Sequence, residues 1–195
     1  MSLDLEGVLV PEIWIAVAEK TGIEALRRTT RDEPDYDLLM RSRLDIMRAN
    51  NLKLSDIQEV IGFGPPLAGA KDFLDELRAQ TQVVILSDTF VQFANPLMRQ
   101  LDWPVIFCNH LEVSDDVVVN YHLRQPDQKR QSVVAFKSLN FEVIAAGDSY
   151  NDTNMLTEAN HGILFRAPEN IQSGFPQFPV VTEFSELMRL IEDPL

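Results

Sequence analysis

Four short stretches carry side chains whose types and spacing could do chemistry together. Asp4 and Glu6 stand two residues apart in "MSLDLEGVLV", and Ser87 and Asp88, followed by Thr89, close the run "QVVILSD". Lys129 comes early in "QKRQSVVAFKSL", and Asp148, Asn151 and Asp152 fall within "AAGDSYND". Carboxylate pairs suit acid–base or covalent work, and an acidic cluster suits a hard cation. Hydroxyl and ammonium groups suit an anion. The plainer reading is that acids at strand–loop junctions only cap turns, a serious alternative for Asp88 and Asp152. It explains Asp4 poorly, because a carboxylate at a buried strand is costly without a partner. Ser87, taken alone, reads as a strand-end hydroxyl.

The elements around these residues follow from hydrophobic period. "MSLDLEGVLV" is apolar around its acids, the pattern of a buried strand that ends in a site loop. Three residues precede Asp4, so this strand is short for a central one. From Pro11 the period changes: Ile13, Trp14, Ala16 and Val17 form a helical stripe stopped by Gly22. "DYDLLMRSRLDIMRANN" reads as a second helix, and Ser55 with Gln58 suits a capping box opening a third. Gly62, Gly64, Pro65 and Pro66 then punctuate the chain.

Beyond that point helices and strands alternate. "AGAKDFLDELRAQT" is an amphipathic helix and "QVVILSD" a buried strand; "FVQFANPLMRQL" is helical, with Pro96 expected to break or restart it and Asn95 as a cap. "PVIFC" is a strand, and two short runs around Ser114, Asp115 and Asp116 suggest a hairpin. A helix from about Lys129 to Leu139, the strand "EVIAAGD", a helix from about Asn151, the strand "GILF" and a capped helix in "TEFSELMRLIED" complete the order. The alternation predicts an α/β fold, a doubly wound (Rossmann-like) parallel sheet built from residues 1–11 and 67–195. A small helical cap, residues 12–66, is inserted after the first strand. Ligands of such sheets bind beyond the carboxyl ends of the strands, so the four stretches converge on one rim.

Composition excludes several functions. A chain of 195 residues, 45% hydrophobic and 24% charged, can bury one sizeable core. A net charge of -13 argues against nucleic acid and obliges any anionic substrate to be met by local cations. The single cysteine, Cys108, rules out an internal disulfide and reads as a buried, inert thiol of a reducing compartment. No apolar run approaches bilayer length and charges begin at Asp4, so neither a membrane partner nor a secretory leader is expected, and the location is cytoplasmic. His110, His122 and His161 show no ligand spacing, and no G-x-G-x-x-G turn follows a predicted strand.

In this order and context the motifs resemble the haloacid dehalogenase (HAD) superfamily. "DLEGV" looks like its first motif, "LSD" its second and "GDSYND" its fourth; Lys129 fits the third, with Lys137, two turns along the helix, as competitor. The resemblance implies Mg²⁺-dependent phosphoryl transfer in which Asp4 forms an aspartyl-phosphate and Glu6 is the acid–base. Ser87, Lys129 and Asn151 would bind the phosphoryl oxygens. Asp4, Asp148 and the backbone carbonyl of Glu6 would hold the metal, with Asp152 positioning Lys129 or a metal water from behind. Most members place aspartate where this chain has Glu6.

The inserted cap is similar to that of phosphoserine phosphatases, where a glutamate binds the substrate amine and a cap arginine its carboxylate. Glu12 in "LVPEIW" and Arg43 in "LLMRSRLDIM" stand at the matching places, with Arg41 the nearest competitor. The plain alternatives are a helix N-terminal acid and a solvated helix face. Asp88 and Thr89 occupy substrate-site positions where the family carries glycines. "DLEGVLVPEIWIA", "ILSDTF" and "IAAGDSYNDT" resemble most the subgroup of phosphoserine phosphatases that are also homoserine phosphotransferases of bacterial threonine synthesis, which share the second-position glutamate. The implied partner is a small phosphorylated amino acid, phosphoserine, with water or homoserine as acceptor, in serine and threonine biosynthesis. A homodimer stays open. The rival readings are another small phosphate ester or a non-catalytic α/β binding module.

Overall fold

The opening run forms a two-residue strand, β1 (Ser2–Leu3), in the computed structural model, which describes every residue except 30, 31, 34, 194 and 195. The expected ranges 12–66 and 67–195 extend over those five positions, which lie outside the described residues. Short as it is, β1 is central. Ser2 and Leu3 pair in parallel with Val84 and Ile85 of β2 (Val84–Phe90) and with Ala145 and Ala146 of β5 (Ile144–Gly147). With β3 (Val105–Ser114), β4 (Val117–His122), β6 (His161–Phe165) and β7 (Val180–Val181) the sheet order is β4-β3-β2-β1-β5-β6-β7. Among the described residues only the β3–β4 pair is antiparallel. The chain winds outward from β1 through β2 and β3, then returns to β5 on the other side. The switch in winding therefore falls beside β1, where a crevice opens at the strand ends.

Between β1 and β2 lie α1 (Ile13–Thr21), a 3₁₀ turn (Glu24–Arg27), α2 (Tyr36–Ala49), α3 (Leu54–Phe63) and α4 (Ala70–Gln80). The later helices are α5 (Val91–Gln100), α6 (Gln128–Ser138), α7 (Thr153–Glu158), α8 (Glu169–Gly174) and α9 (Phe184–Glu192). Successive strand residues face opposite sides of the sheet. Ile85, Ala146, Ile163 and Phe165 join one apolar cluster, and Leu86, Ala145 and Leu164 the other. Val133 of α6 and Met155 and Leu156 of α7 pack into the second cluster. Both faces are covered, as valine- and isoleucine-rich parallel strands require. Among the described residues no helix is long and apolar enough to cross a membrane.

Three local expectations are corrected. The helix over residues 91–100 does not break at Pro96, and Asn95 lies inside it rather than at a cap. Proline cannot donate to the carbonyl four residues back, which is that of Gln92. Gln58 Nε2 of α3 donates to this oxygen at 2.8 Å and replaces the missing bond. Ser55 and Gln58 do not form a capping box either. The N-cap of α3 is Lys53, whose amide donates to Asp56 at 2.8 Å. The Ser55 amide and hydroxyl donate instead to the Asp116 carboxylate, at 3.0 and 2.6 Å. Asp116 sits in the β3–β4 turn, where it and Asp115 adopt φ of 65° and 48°, the mirror-image turn expected of a tight hairpin. Finally, "PVIFC" and "LEVS" are one strand: β3 leaves β2 and continues outward to pair with β4.

Replacing Gln58 with alanine leaves the Gln92 carbonyl without its side-chain donor. A loss of about 1 kcal/mol in urea unfolding is expected. The loss should shrink in a Pro96→Ala background, where a helical amide returns to that carbonyl.

Candidate active site

The site grows from the carboxyl end of β1. The Asp4 amide donates to the Ala146 carbonyl at 3.0 Å, which keeps the residue in register with β5, and its side chain is buried. Opposite it, the first turn of α6 delivers Lys129, only 2% exposed. Its Nζ lies 2.8 Å from Asp4 Oδ1, 2.7 Å from Asp152 Oδ1 and 3.8 Å from Asp88 Oδ2. Asp152 is wholly buried, and its second oxygen accepts from the amides of Asp148 and Ser149, both at 3.0 Å, and from Ser149 Oγ at 3.1 Å. Two glycines make this closeness achievable. A Cβ on Gly147 would stand 2.4 Å from Asp152 Cγ; one on Gly7, where φ is 77°, would stand 2.5 Å from Asp148 Oδ2.

Asp4, Asp148 and Asp152 each bring a carboxylate oxygen within 4.8 Å of the others, and all three are buried. Burial, reinforced by Asp152, raises the Asp4 carboxyl well above its usual range despite Lys129. Burial opposes the charge of Lys129 as well, yet Asp152, Asp4 and Asp88 together hold its ammonium well above its usual value. One ammonium is thus shared among several carboxylates, and negative charge is in surplus. Hard oxygen donors in surplus are the donor set that fits Mg²⁺.

A cavity of about 90 Å³ opens from this cluster, lined among others by Glu6, Glu12, Arg43, Ser87 and Thr89. Glu6 Oε2 accepts the amide of Ile13 at 2.8 Å, so its side chain turns to the start of α1. Burial, with Glu12 beside it, pushes the Glu6 carboxyl up to about 7 against the Ile13 amide, Arg43 and Lys129. Arg43 is 7% exposed, lies 4.5 Å from the centre of the Trp14 ring, and donates from Nη2 to the Arg28 carbonyl at 2.8 Å. Burial lowers its guanidinium to about 10, and its Nε has no hydrogen-bond partner among the described residues. Arg41 faces away and pairs with Asp37 at 2.7 Å. Glu12 caps no amide of α1.

Ser87 Oγ accepts the Thr89 amide at 3.2 Å, and both side chains are buried. Lys137 lies off the rim, donating to the Glu158 carbonyl at 2.6 Å. His122 and His161 pair with Glu112 and Glu142, and burial pushes the Cys108 thiol up to about 11. Sequence patterns did not single out Tyr36, Asn109 or Gln128. Tyr36 Oη and Asn109 Nδ2 donate to the Asp88 carbonyl at 3.1 and 3.0 Å. Gln128 Nε2 donates to the Ser87 carbonyl at 2.7 Å. Adjacency to Lys129 was the one available signal for Gln128.

Residues 3–160 match the family model described as haloacid dehalogenase-like hydrolase. The chain is 65% identical over 188 residues to phosphoserine phosphatase ThrH of Pseudomonas aeruginosa, covering 96% of this chain and 92% of that protein. It is 63% identical over 188 residues to a phosphoserine phosphatase of Pseudomonas syringae pv. tomato, covering 96% and 79%. A solved structure described as a phospho-aspartyl intermediate analogue of phosphoserine phosphatase superposes with a TM-score of 0.79 at 17% identity, covering 96% of each chain. At that identity the likeness speaks for the fold.

The raised Glu6 carboxyl has a signed consequence for stability in metal-free buffer. The folded protein holds this proton more tightly than the unfolded chain, so the contribution of Glu6 to stability is full below about pH 4.5 and is lost as pH rises through about 7. Glu6→Gln removes the charge. At pH 8 the variant should unfold at higher urea than the parent, by on the order of 1–3 kcal/mol, and the gain should vanish near pH 4.5. A gain of equal size at both pH values would contradict the raised carboxyl.

Proposed function

This chain belongs to the haloacid dehalogenase-like hydrolases, and from that premise we propose that it takes the phosphoryl group from phosphoserine onto Asp4 and passes it to water or homoserine. One observation carries the reading. Asp4 is buried 2.8 Å from Lys129, in a carboxylate cluster that opens on a cavity also lined by Arg43 and Glu12. The names of the two Pseudomonas relatives support the same substrate.

Asp4 is the nucleophile: its carboxylate attacks phosphorus, the ester oxygen leaves, and an aspartyl-phosphate forms. Mg²⁺, held by Asp4, Asp148 and the Glu6 carbonyl, would neutralise charge so that a carboxylate can meet an anionic phosphoryl group. Asp152 spends both oxygens on Lys129, two amides and a hydroxyl, which suits it to orienting the lysine rather than to primary ligation. Lys129, Ser87 and Asn151 supply donors to the phosphoryl oxygens, and Thr89 lines the same wall. Glu6, poised near 7, gives its proton to the leaving oxygen and takes one from the acceptor hydroxyl or water.

The headgroup end of the cavity answers an amino acid. Arg43 offers a guanidinium for the carboxylate, and Glu12 a carboxylate for the ammonium. Homoserine is serine lengthened by one methylene, so the same pair can hold donor and acceptor in turn. Residues 12–66 act as the cap over this end. Tyr36 to Asp88, Tyr121 to Asp37 and Ser55 to Asp116 tie it to the sheet, limiting the water that competes with an alcohol. The activity belongs to cytoplasmic serine and threonine biosynthesis.

Asp4→Asn should fold normally by circular dichroism and lose Mg²⁺-dependent phosphate release from phosphoserine by at least about 1000-fold. The parent, given homoserine, should also yield phosphohomoserine; unchanged turnover in the variant would remove Asp4 from the mechanism. Arg43→Ala should raise the KM for phosphoserine by roughly 10–100-fold, the cost of a charged hydrogen bond, and barely alter that for an aryl phosphate. Equal effects on both substrates would discredit the headgroup site.

A further inference from the structure

We infer that Asp88 is a positioning residue: its carboxylate sets which way the Asn151 amide faces and ties the end of β2 to the start of α6. The inference rests on reading the cavity beside Asp4 as a phosphoryl site. Asp88 follows Ser87 on the cavity wall, with its side chain 34% exposed. A carboxylate only accepts hydrogen bonds, and phosphoryl oxygens need donors. Both Asp88 oxygens are moreover already engaged, Oδ1 by Gln128 Nε2 at 3.1 Å and Oδ2 by Asn151 Nδ2 at 2.9 Å. Asp88 is therefore ill suited to hold the phosphoryl group itself, and acts through its neighbours.

Asn151 is the more telling of these. Its Oδ1 shares the hydroxyl hydrogen of Ser149 with Asp152 Oδ2, while its Nδ2 faces Asp88. A hydroxyl can donate or accept, so Ser149 alone would tolerate either orientation of the amide. A carboxylate tolerates only the NH₂. Asp88 thus selects the orientation in which the Asn151 nitrogen, with a second hydrogen left to donate, stands on the Asp88 side of this cavity-lining residue. A flipped amide would present an oxygen to phosphoryl oxygens, replacing attraction with repulsion. Gln128 extends the arrangement. Its NH₂ donates to the Ser87 carbonyl at 2.7 Å as well as to Asp88, so the turn that carries Lys129 is held against the end of β2. The Asp88 carbonyl meanwhile accepts from Asn109 of β3 and Tyr36 of α2.

Equilibrium binding of inorganic phosphate in saturating Mg²⁺, followed by calorimetry, tests this whichever ester the enzyme prefers. Positioning predicts that Asp88→Ala weakens phosphate binding about tenfold or more. It also predicts that the same change costs much less in an Asn151→Ala background, where only the link to Gln128 remains to be lost. If Asp88 contributed only a negative charge, its removal would tighten phosphate binding in both backgrounds. Should the alanine variant fold poorly, Asp88→Asn keeps the volume but can accept from only one of its two partners, and the same comparison of backgrounds applies. Unchanged or tighter binding by the Asp88 variant, an equal loss in both backgrounds, or no phosphate binding by the parent would each overturn the inference. Turnover separates it from the substrate assignment. Asp88→Ala should lower kcat/KM for phosphoserine and for an aryl phosphate by similar factors, and a parent active only on the aryl ester would sink the assignment alone.

Discussion

One buried ammonium shared among carboxylates is the constraint from which the rest of the architecture follows. Lys129 is 2% exposed and in contact with Asp4 and Asp152, and none of the three groups could be buried alone without a large desolvation cost. The cluster is tenable only as a set, with Asp152 saturated by two backbone amides and a hydroxyl. This explains the glycines at 7 and 147, where any side chain would collide with the carboxylates. It also explains why a two-residue strand can sit at the middle of a sheet: paired on both sides, β1 fixes where Asp4 points.

The cavity beside this cluster has two ends of different construction. The end at Asp4 and Lys129 is built from strand ends and the first turn of α6. The end at Arg43 is built on the helices between β1 and β2. In a protein of net charge -13, Lys129 and Arg43 bring positive charge to this cavity, where low dielectric strengthens it locally. The two ends meet through few polar links. Tyr36 reaches the Asp88 carbonyl, and the extended β3–β4 hairpin reaches α3, where the Leu54 amide donates to the Asp116 carbonyl at 2.9 Å.

Much of this was legible in the linear pattern. Period-2 and period-3.6 runs carry burial directly, so the alternating strands and helices, the helical insertion and the hairpin at Asp115 and Asp116 could be read from side-chain type alone. The four motif stretches fell on one rim because strand ends in a doubly wound sheet have only one place to go. The helix-breaking rule fails at Pro96 because its compensating partner, Gln58, lies 38 residues earlier. Ser55 was misread for a similar reason, since its donors go to Asp116, 61 residues away. The long β3 was split in two because a strand that changes partners midway has no signature in its own residues.

Residue types and their order along the chain determined the sheet, the insertion and the residues brought to the crevice, because burial and strand polarity act through local sequence. Which of two like residues lines the cavity was left to three dimensions, Arg43 and not Arg41, Lys129 and not Lys137, as was the engagement of Gln128, Tyr36 and Asn109 with the end of β2. Hydrogen bonds and ion pairs depend on distance and direction at the scale of an ångström. Side chains far apart in sequence acquire those only when the fold closes.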